Sequence, residues 1–295
     1  MSTSPITRAG IVAKHGLAAS GHLDRLVEWL NHREIAAVFE TETAALAGTR
    51  PGTATWSREE LPNHVDLIIV LGGDGTLLSM ATRIVRTGRD VPMLGVNFGS
   101  LGFLTETRID ELYETLESVI AGTAAYDVRA LLSAEAYRSR ERFDSRVVLN
   151  DVVFTKAALS RIIELAVSVS TGLVTKVKAD GLIVASATGS TAYNLAAGGP
   201  IVHPRVDALV LTPIAPHTLT HRPVVIPGSE TVEVRPLPDA GAEDIYVTYD
   251  GQSGYPLQKG DSIRICKHPH SLRLVKAPAR SYFEVLREKL KWGER

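Results

Sequence analysis

The sequence has 295 residues, 32 Lys+Arg against 33 Asp+Glu, a net charge of −1, and 44% hydrophobic with 22% charged residues. That is globular composition, sized for one large domain or two modest ones. Near-neutrality argues against a protein that coats nucleic-acid phosphates, and runs such as Leu67–Leu71 and Leu182–Ala185 fall far short of the ~18 apolar residues of a membrane span.

The opening stretch MSTSPITRAGIVAKHG carries no long apolar run with a small-residue cleavage site. Gly10–Lys14 then reads as a short strand. Leu23, Leu26, Val27 and Leu30 share one face of a helix over HLDRLVEWLNHR. Ile35–Phe39 is a second strand, and Val65–Leu71 is a near-continuous apolar strand of the kind buried on both faces of a parallel sheet. Leu77–Val85 has helical spacing, Val91–Val96 is strand-like, and Asp110–Ile120 is an amphipathic helix. Strands alternating with helices predict an α/β domain with a mainly parallel sheet over residues 1–125.

From Tyr126 the periodicity changes. Short β-rich segments dominate, among them VRALLSAEAYR, RVVLNDVVFTK, LVTKVKADGLIVAS, DIYVTYDG and DSIRICKH, with turn signals at Asp250-Gly251 and Gly260-Asp261. Residues 126–278 are therefore expected to form a β-sandwich-like domain, interrupted by a short helix at about Thr191–Ala197. A C-terminal helix within 279–295 is expected to pack back on the first domain. Cys266 is the only cysteine, which excludes an intrachain disulfide and suits a reducing compartment. Its place in an alternating run predicts a small core residue rather than a nucleophile. The expected location is the cytoplasm, with no nucleic-acid or membrane partner.

Four segments carry chemistry. In Leu71-Gly72-Gly73-Asp74-Gly75-Thr76-Leu77, between an apolar strand and a helix, three glycines let a ligand approach the backbone, and free N–H groups at the helix start favour an anion such as phosphate. The loop lacks the Gly-Lys-Ser/Thr ending of a Walker loop and the third glycine of a dinucleotide fingerprint. A carboxylate beside a phosphate needs a reason: Asp74 either accepts a proton from an attacking hydroxyl or holds a bridging cation. The plainer alternative is a Gly-Asp-Gly turn. The second segment, Ala179-Asp180-Gly181 with Ser186-Ala187-Thr188-Gly189-Ser190-Thr191-Ala192-Tyr193-Asn194, offers hydroxyl and N–H donors to a ligand, or Thr188 and Ser190 serve as helix caps. In the third, Asn150-Asp151 interrupts VVLNDVVF as a hydrogen-bonded bulge or as a site. In the fourth, Gly95-Val96-Asn97-Phe98-Gly99-Ser100-Leu101-Gly102-Phe103, Phe103 is a core aromatic or a platform for a base.

Taken together, LGGDGTLL, GVNFGSLGFL, the Asn-Asp pair and DGLIVASATGSTAYNLAAGGPIVHP resemble the NAD kinase family over residues 67–204. RPVVIP at 222–227 and YDGQ at 249–252 extend the likeness. Two positions depart from the common pattern: Ala187 stands where proline is usual and Ala196 where serine is frequent. The resemblance implies an α/β domain followed by a β-sandwich domain with the active site in the crevice between them. It also implies a homodimer or homotetramer, a divalent ion (Mg²⁺ or similar), NAD as acceptor, and ATP or polyphosphate as donor.

By the same resemblance Asp74 is the catalytic residue, and Gly73, Gly75, Thr76 and Asn97 belong to the nucleotide loops. The Phe103 ring contacts adenine, and Asn150 and Asp151 bind the dinucleotide. Asp180, Thr188, Thr191, Ala192, Tyr193, Asn194, Leu195 and Ala196 continue the pocket. Arg161 and Lys178 match basic positions near the ligand, and Gln252 lies in the Asp-Gly-Gln turn. No metal ligand is assigned. The implied reaction is phosphorylation of the adenosine-ribose 2′-hydroxyl of NAD. The alternatives are a lipid or sugar kinase sharing the glycine-rich loop, for which EVLREKLKW is the nearest thing to a membrane-binding face, and a silent dinucleotide-binding regulator, which has no need of Asp74.

Overall fold

The computed structural model describes residues 6–16, 20–48, 53–99, 101–156, 162–218, 220–237, 245–277 and 280–293. The chain divides into two compact units, one formed by residues 1–128 with 272–295 and the other by 129–271. Elements of the first are β1 (Arg8–Ala13), α1 (Ser20–Asn31), β2 (Ala36–Glu40), α2 (Thr41–Ala47), β3 (Thr55–Trp56), β4 (Leu67–Leu71), α3 (Asp74–Arg86), β5 (Met93–Asn97), β6 (Thr107–Arg108) and α4 (Leu112–Ile120).

These strands lie in the parallel order β3-β2-β1-β4-β5, with β6 beside the end of β5. All five residues of β4 are buried, as expected of a strand covered on both faces. On one side Leu23, Leu26 and Leu30 of α1 and Leu112, Leu116 and Val119 of α4 join Ile11, Phe39, Ile69 and Leu94 in one core. Leu77, Met80 and Ala81 of α3 are also fully buried. The spacing of apolar residues thus locates α1, α3 and α4, with starts displaced by a few residues. It gives no sign of α2, TETAALA, which is held by a different device. The Glu40 carboxylate caps it by accepting from Thr43 N–H at 2.9 Å, and Gly48 ends it in the left-handed region at φ 58°.

The second half begins with β7 (Tyr126–Arg138), β8 (Glu141–Val148), β9 (Asp151–Lys156), β10 (Ile163–Val169), β11 (Gly172–Ala179) and β12 (Gly181–Ser186). A 3₁₀ turn (Thr188–Thr191) and α5 (Tyr193–Ala196) precede β13 (Ala208–Ile214), β14 (Val224–Pro227), β15 (Val232–Pro236), β16 (Ile245–Tyr249), β17 (Ser253–Pro256), β18 (Asp261–Val275) and α6 (Tyr282–Leu290). One antiparallel sheet runs β14-β13-β12-β9-β16-β17. Facing it are β11-β10-β15 with the first part of β18, and the hairpin β7-β8. Val167, Val177, Val234 and Ile263 from this group share a core with Phe154, Val184, Leu211 and Val247 of the other sheet. The unit is a β-sandwich.

Three expectations are corrected. RVVLNDVVFTK is not one strand with a bulge: β8 ends at Val148 and β9 begins at Asp151, so Leu149 and Asn150 form the corner where the chain changes sheets. Cys266 is half-buried rather than core, because Ile265, fully buried, takes the inward position of β18. Burial and the Glu135 charge raise its thiol pKa. Neither Thr188 nor Ser190 caps a helix: Ala187 and Ala192 hold the cap positions, without side-chain bonds.

Phe154 on β9, between β12 and β16, is the largest fully buried side chain of the sandwich core. Phe154→Ala should destabilise by about 3–5 kcal/mol, read as a lowered urea midpoint with an unchanged circular dichroism spectrum.

Candidate functional site

In the first unit the glycine-rich loop leaves the carboxyl end of β4, where open α/β sheets bind ligands. The register pairs Leu71 with Val96 of β5, and Gly72 N–H donates to Val96 C=O at 2.8 Å. The two loops that follow β4 and β5 therefore start side by side. Gly73 caps α3 in extended conformation (φ −94°, ψ −177°), and Asp74 is the first residue of the helix, where a negative charge is favoured by the free N–H groups.

The Asp74 carboxylate is held by the second loop. Its Oδ2 accepts from Phe103 N–H at 2.9 Å. Its Oδ1 accepts from Leu104 N–H at 3.1 Å, Thr105 N–H at 3.0 Å and the Thr105 hydroxyl at 3.0 Å. Asn97 belongs to the same network, since its Nδ2 donates to Thr105 Oγ1 at 3.1 Å and its Oδ1 accepts from Gly99 N–H at 2.6 Å. Gly102 makes the cradle possible: a Cβ there would lie 2.1 Å from Asp74 Oδ1 and 2.2 Å from Thr105 Oγ1. Three donors crowd Oδ1 and one reaches Oδ2, so the acceptor capacity left to the carboxylate lies on Oδ2. Gly73 and Thr76 are half-buried and Gly75 is exposed. Phe103 is half-buried too, with Lys289 Nζ 5.6 Å from its ring centroid.

In the second unit the structure gathers Asn150, Asp151, the Thr188 turn and the Asp250 turn. The Asp250 carboxylate accepts from the N–H groups of Leu149, Asn150 and Asp151 at 2.8, 2.7 and 3.1 Å, which satisfies the backbone at the sheet-changing corner. Ser186 Oγ donates to Leu149 C=O at 2.6 Å and accepts from Gly189 N–H at 3.1 Å. Gly189 packs so closely that a Cβ would stand 2.1 Å from the Asn150 carbonyl oxygen. Asp151 is 4% exposed; burial first, then the Asp250 charge, pushes its pKa up to about 7. Burial raises that of Asp250 as well, against the pull of its three N–H donors.

The remaining sequence-derived residues divide by environment. Asn194 is fully buried, and its amide is spent internally. Its Nδ2 donates to Ser190 C=O at 2.9 Å and Pro200 C=O at 3.1 Å, while its Oδ1 accepts from Thr212 at 2.6 Å. It shapes the turn and leaves no free donor. Thr188 is buried, Thr191, Ala192 and Leu195 are half-buried, and Tyr193 and Ala196 are exposed. Gln252 is exposed in the turn where its N–H meets Tyr249 C=O at 3.0 Å. Lys178 pairs with Glu164 at 2.6 Å and Asp180 with Lys156 at 2.8 Å. These two lie by the Gly181 end of β12, roughly 17 Å along the strand from Ser186, so they are not brought to the Asn150 corner. Arg161 lies outside the described residues.

Thr105, Gly102 and Asp250 as a side-chain ligand escape a reading of sequence. Asp250 shows only its turn signal, and both Asp250 and Gly251 adopt positive φ (51° and 63°). No local spacing announces that its carboxylate reaches a corner 99–101 residues earlier.

Residues 10–124 match the model of the ATP-NAD kinase N-terminal domain, and residues 149–277 that of the ATP-NAD kinase C-terminal domain. The chain is 45% identical over 289 residues to the NAD kinase of Geotalea daltonii, covering 98% of this chain and 99% of that one. It is 47% identical over 290 residues to the NAD kinase of Syntrophotalea carbinolica, with the same coverage. Among solved structures, yeast NADH kinase complexed with NADH superposes with a TM-score of 0.89 at 23% identity, over 99% of this chain and 89% of that chain. An NAD kinase from Archaeoglobus fulgidus in complex with ATP gives 0.74 at 26%, over 95% and 99%.

The Asp151 carboxyl yields a stability prediction. Its folded-state pKa of about 7 lies above the ordinary 3.8, so between those values the folded chain keeps a proton that the unfolded chain releases. Stability is lost as pH rises from about 4 to about 7, on the order of 4 kcal/mol at most. Asp151→Asn removes that loss. Thermal melts should show the variant gaining on the parent at pH 8 and gaining nothing near pH 4.

Proposed function

The chain belongs to the NAD kinase family, and from that premise we propose that Asp74 accepts the proton of the NAD 2′-hydroxyl as that oxygen attacks the terminal phosphorus of the donor. The chain is an enzyme that phosphorylates NAD with ATP. The observation that carries the assignment is the Asp74 cradle. Four donors fix the carboxylate and leave Oδ2 with capacity to receive the hydroxyl proton. A carboxylate is a weak base, but the loose transition state of phosphoryl transfer asks for little deprotonation before attack. Orientation of the hydroxyl is then its main contribution.

Gly73, Gly75 and Thr76, at the start of α3, offer backbone N–H groups to phosphate oxygens. Phe103 offers its ring to adenine, and Asn97 acts through Thr105 rather than on the nucleotide. Within the second unit, Asn150, Asp151, Thr188, residues 191–196 and Gln252 are the candidates for nucleotide contacts. Asn194 serves there as the strut of the turn, and Lys178 and Asp180 stand apart as ion-paired groups. Among the described residues no group of three or more His, Cys, Asp and Glu side chains gathers as a ligand set. A divalent ion, Mg²⁺ or similar, would be held by the donor phosphates and would supply charge neutralisation there. Polyphosphate is a second donor of the same chemistry.

No described helix is long and apolar enough to cross a membrane, and we place the enzyme in the cytoplasm. A homodimer or homotetramer is supported by exposed apolar side chains on two edge strands, Leu173 and Val174 of β11 and Val224 and Val225 of β14. The lipid- or sugar-kinase and silent-regulator readings are not favoured, because the family match spans both halves of the chain and Asp74 is in place.

Asp74→Asn should lower kcat for NADP formation by about 10²–10⁴-fold while NAD still binds by calorimetry; parental turnover would sink the assignment. Gly102→Ala, whose methyl collides with the carboxylate, should lower kcat on the order of 10²-fold with the fold retained by circular dichroism.

A further inference from the structure

The cradle around Asp74 is only as rigid as the loop that provides it, and that loop is gripped at its far end. Thr105 gives both its N–H and its hydroxyl to Asp74 Oδ1, and the next carbonyl, that of Glu106, accepts from Arg280 Nη1 at 2.6 Å. The same guanidinium forms a two-pronged pair with Glu111, Nη1 to Oε2 at 3.0 Å and Nη2 to Oε1 at 2.7 Å. Its side chain is 14% exposed. Three of the five guanidinium N–H donors are thus engaged within the protein.

Arg280 is itself immobilised. It immediately precedes Ser281, the N-cap of α6, whose N–H donates to Glu284 Oε2 at 2.6 Å while its hydroxyl accepts from Glu284 N–H at 3.3 Å. Helix α6 is anchored by buried Val285 and Leu286 and by Glu288, which meets Arg108 at 2.8 Å. Lys289 of the same helix stands over the Phe103 ring. Positions 103, 106, 108 and 111, all in or just after the cradle loop, are thus touched by residues 280–289.

We propose that Arg280 is a positioning residue for the phosphoryl transfer: by fixing the Glu106 carbonyl it holds the Phe103–Thr105 N–H groups at the distances that orient the Asp74 carboxylate. This rests on the reading of Asp74 as proton acceptor. Hydrogen bonds weaken steeply as their geometry departs from ideal, and a misplacement near 1 Å costs about 10²-fold in rate. Loss of the guanidinium acts on the orientation of one carboxylate; of the proposed nucleotide contacts only the Phe103 ring lies on the loop it grips.

The test compares Arg280→Ala and Arg280→Lys with the parent enzyme by steady-state NADP formation, and repeats Arg280→Ala in an Asp74→Asn background, with circular dichroism confirming folding at the assay temperature. Arg280→Ala should lower kcat about 10–100-fold with KM for NAD and ATP within about threefold. Arg280→Lys, which keeps one charged donor for the Glu106 carbonyl, should recover part of the loss. In the Asp74→Asn background the same change should lower the residual rate by less than about twofold, because the group it orients is already disabled. Parental kcat in folded Arg280→Ala, a loss confined to KM, or an equal loss in both backgrounds would overturn the inference and leave Asp74 as proton acceptor untouched. Parental turnover of Asp74→Asn alone would instead remove the premise. Should Arg280→Ala fail to fold, Arg280→Lys carries the test: a kcat reduced about three- to tenfold is expected, and an unchanged kcat overturns it.

Discussion

A carboxylate at the first turn of a helix is held by a loop about thirty residues away, and the chemistry proposed for the first unit depends on that contact. The Asp74 oxygens take hydrogen bonds from positions 103, 104 and 105, all on the loop that follows β5. The contact exists because β4 and β5 are parallel neighbours whose carboxyl ends are level, Leu71 beside Val96. A one-residue slip would carry Asp74 away from its donors. Core residues such as Ile69 and Leu94, adjacent in that register and fully buried, therefore contribute to the placement of a functional group they never touch.

How much of this is legible in the sequence depends on the range of the interactions involved. LIIVL announces β4 because a strand buried on both faces is apolar throughout, and the change to short β segments after Tyr126 announces the sandwich. Helix α2 is hidden because its start is set by the Glu40 carboxylate and its end by Gly48, with no apolar stripe between them. The Asn150-Asp151 pair is visible as polar residues in an apolar run. Their setting at a corner between two sheets is not visible, since it is created by the Asp250 carboxylate from across the unit. Thr105 looks like any threonine after a loop; only the folded chain shows that its hydroxyl donates to Asp74 while accepting from Asn97.

Two of the carboxylates singled out by sequence, Asp74 and Asp151, meet opposite environments. Asp74 is half-buried and surrounded by donors, whereas Asp151 is buried beside a second acid and has its pKa raised to about 7. Perturbed acids of the second kind cluster at functional sites. The near-neutral charge of the chain acquires a physical sense here as well. The anion recognition proposed at the start of α3 relies on main-chain N–H groups, which carry no formal charge and add nothing to the Lys and Arg count.

The division of the chain has a consequence for biosynthesis. Residues 129–271 make up one unit as a single continuous stretch, whereas the other combines 1–128 with 272–295. On the ribosome the sandwich is therefore the part able to close first, although it is made second. The glycine-rich loop and its partner loop emerge early and wait: Arg280, which seats the Glu106 carbonyl, is added some 170 residues later. A chain that stops short of Arg280 and α6 holds the whole glycine-rich motif yet lacks the hydrogen bond from Arg280 to the Glu106 carbonyl.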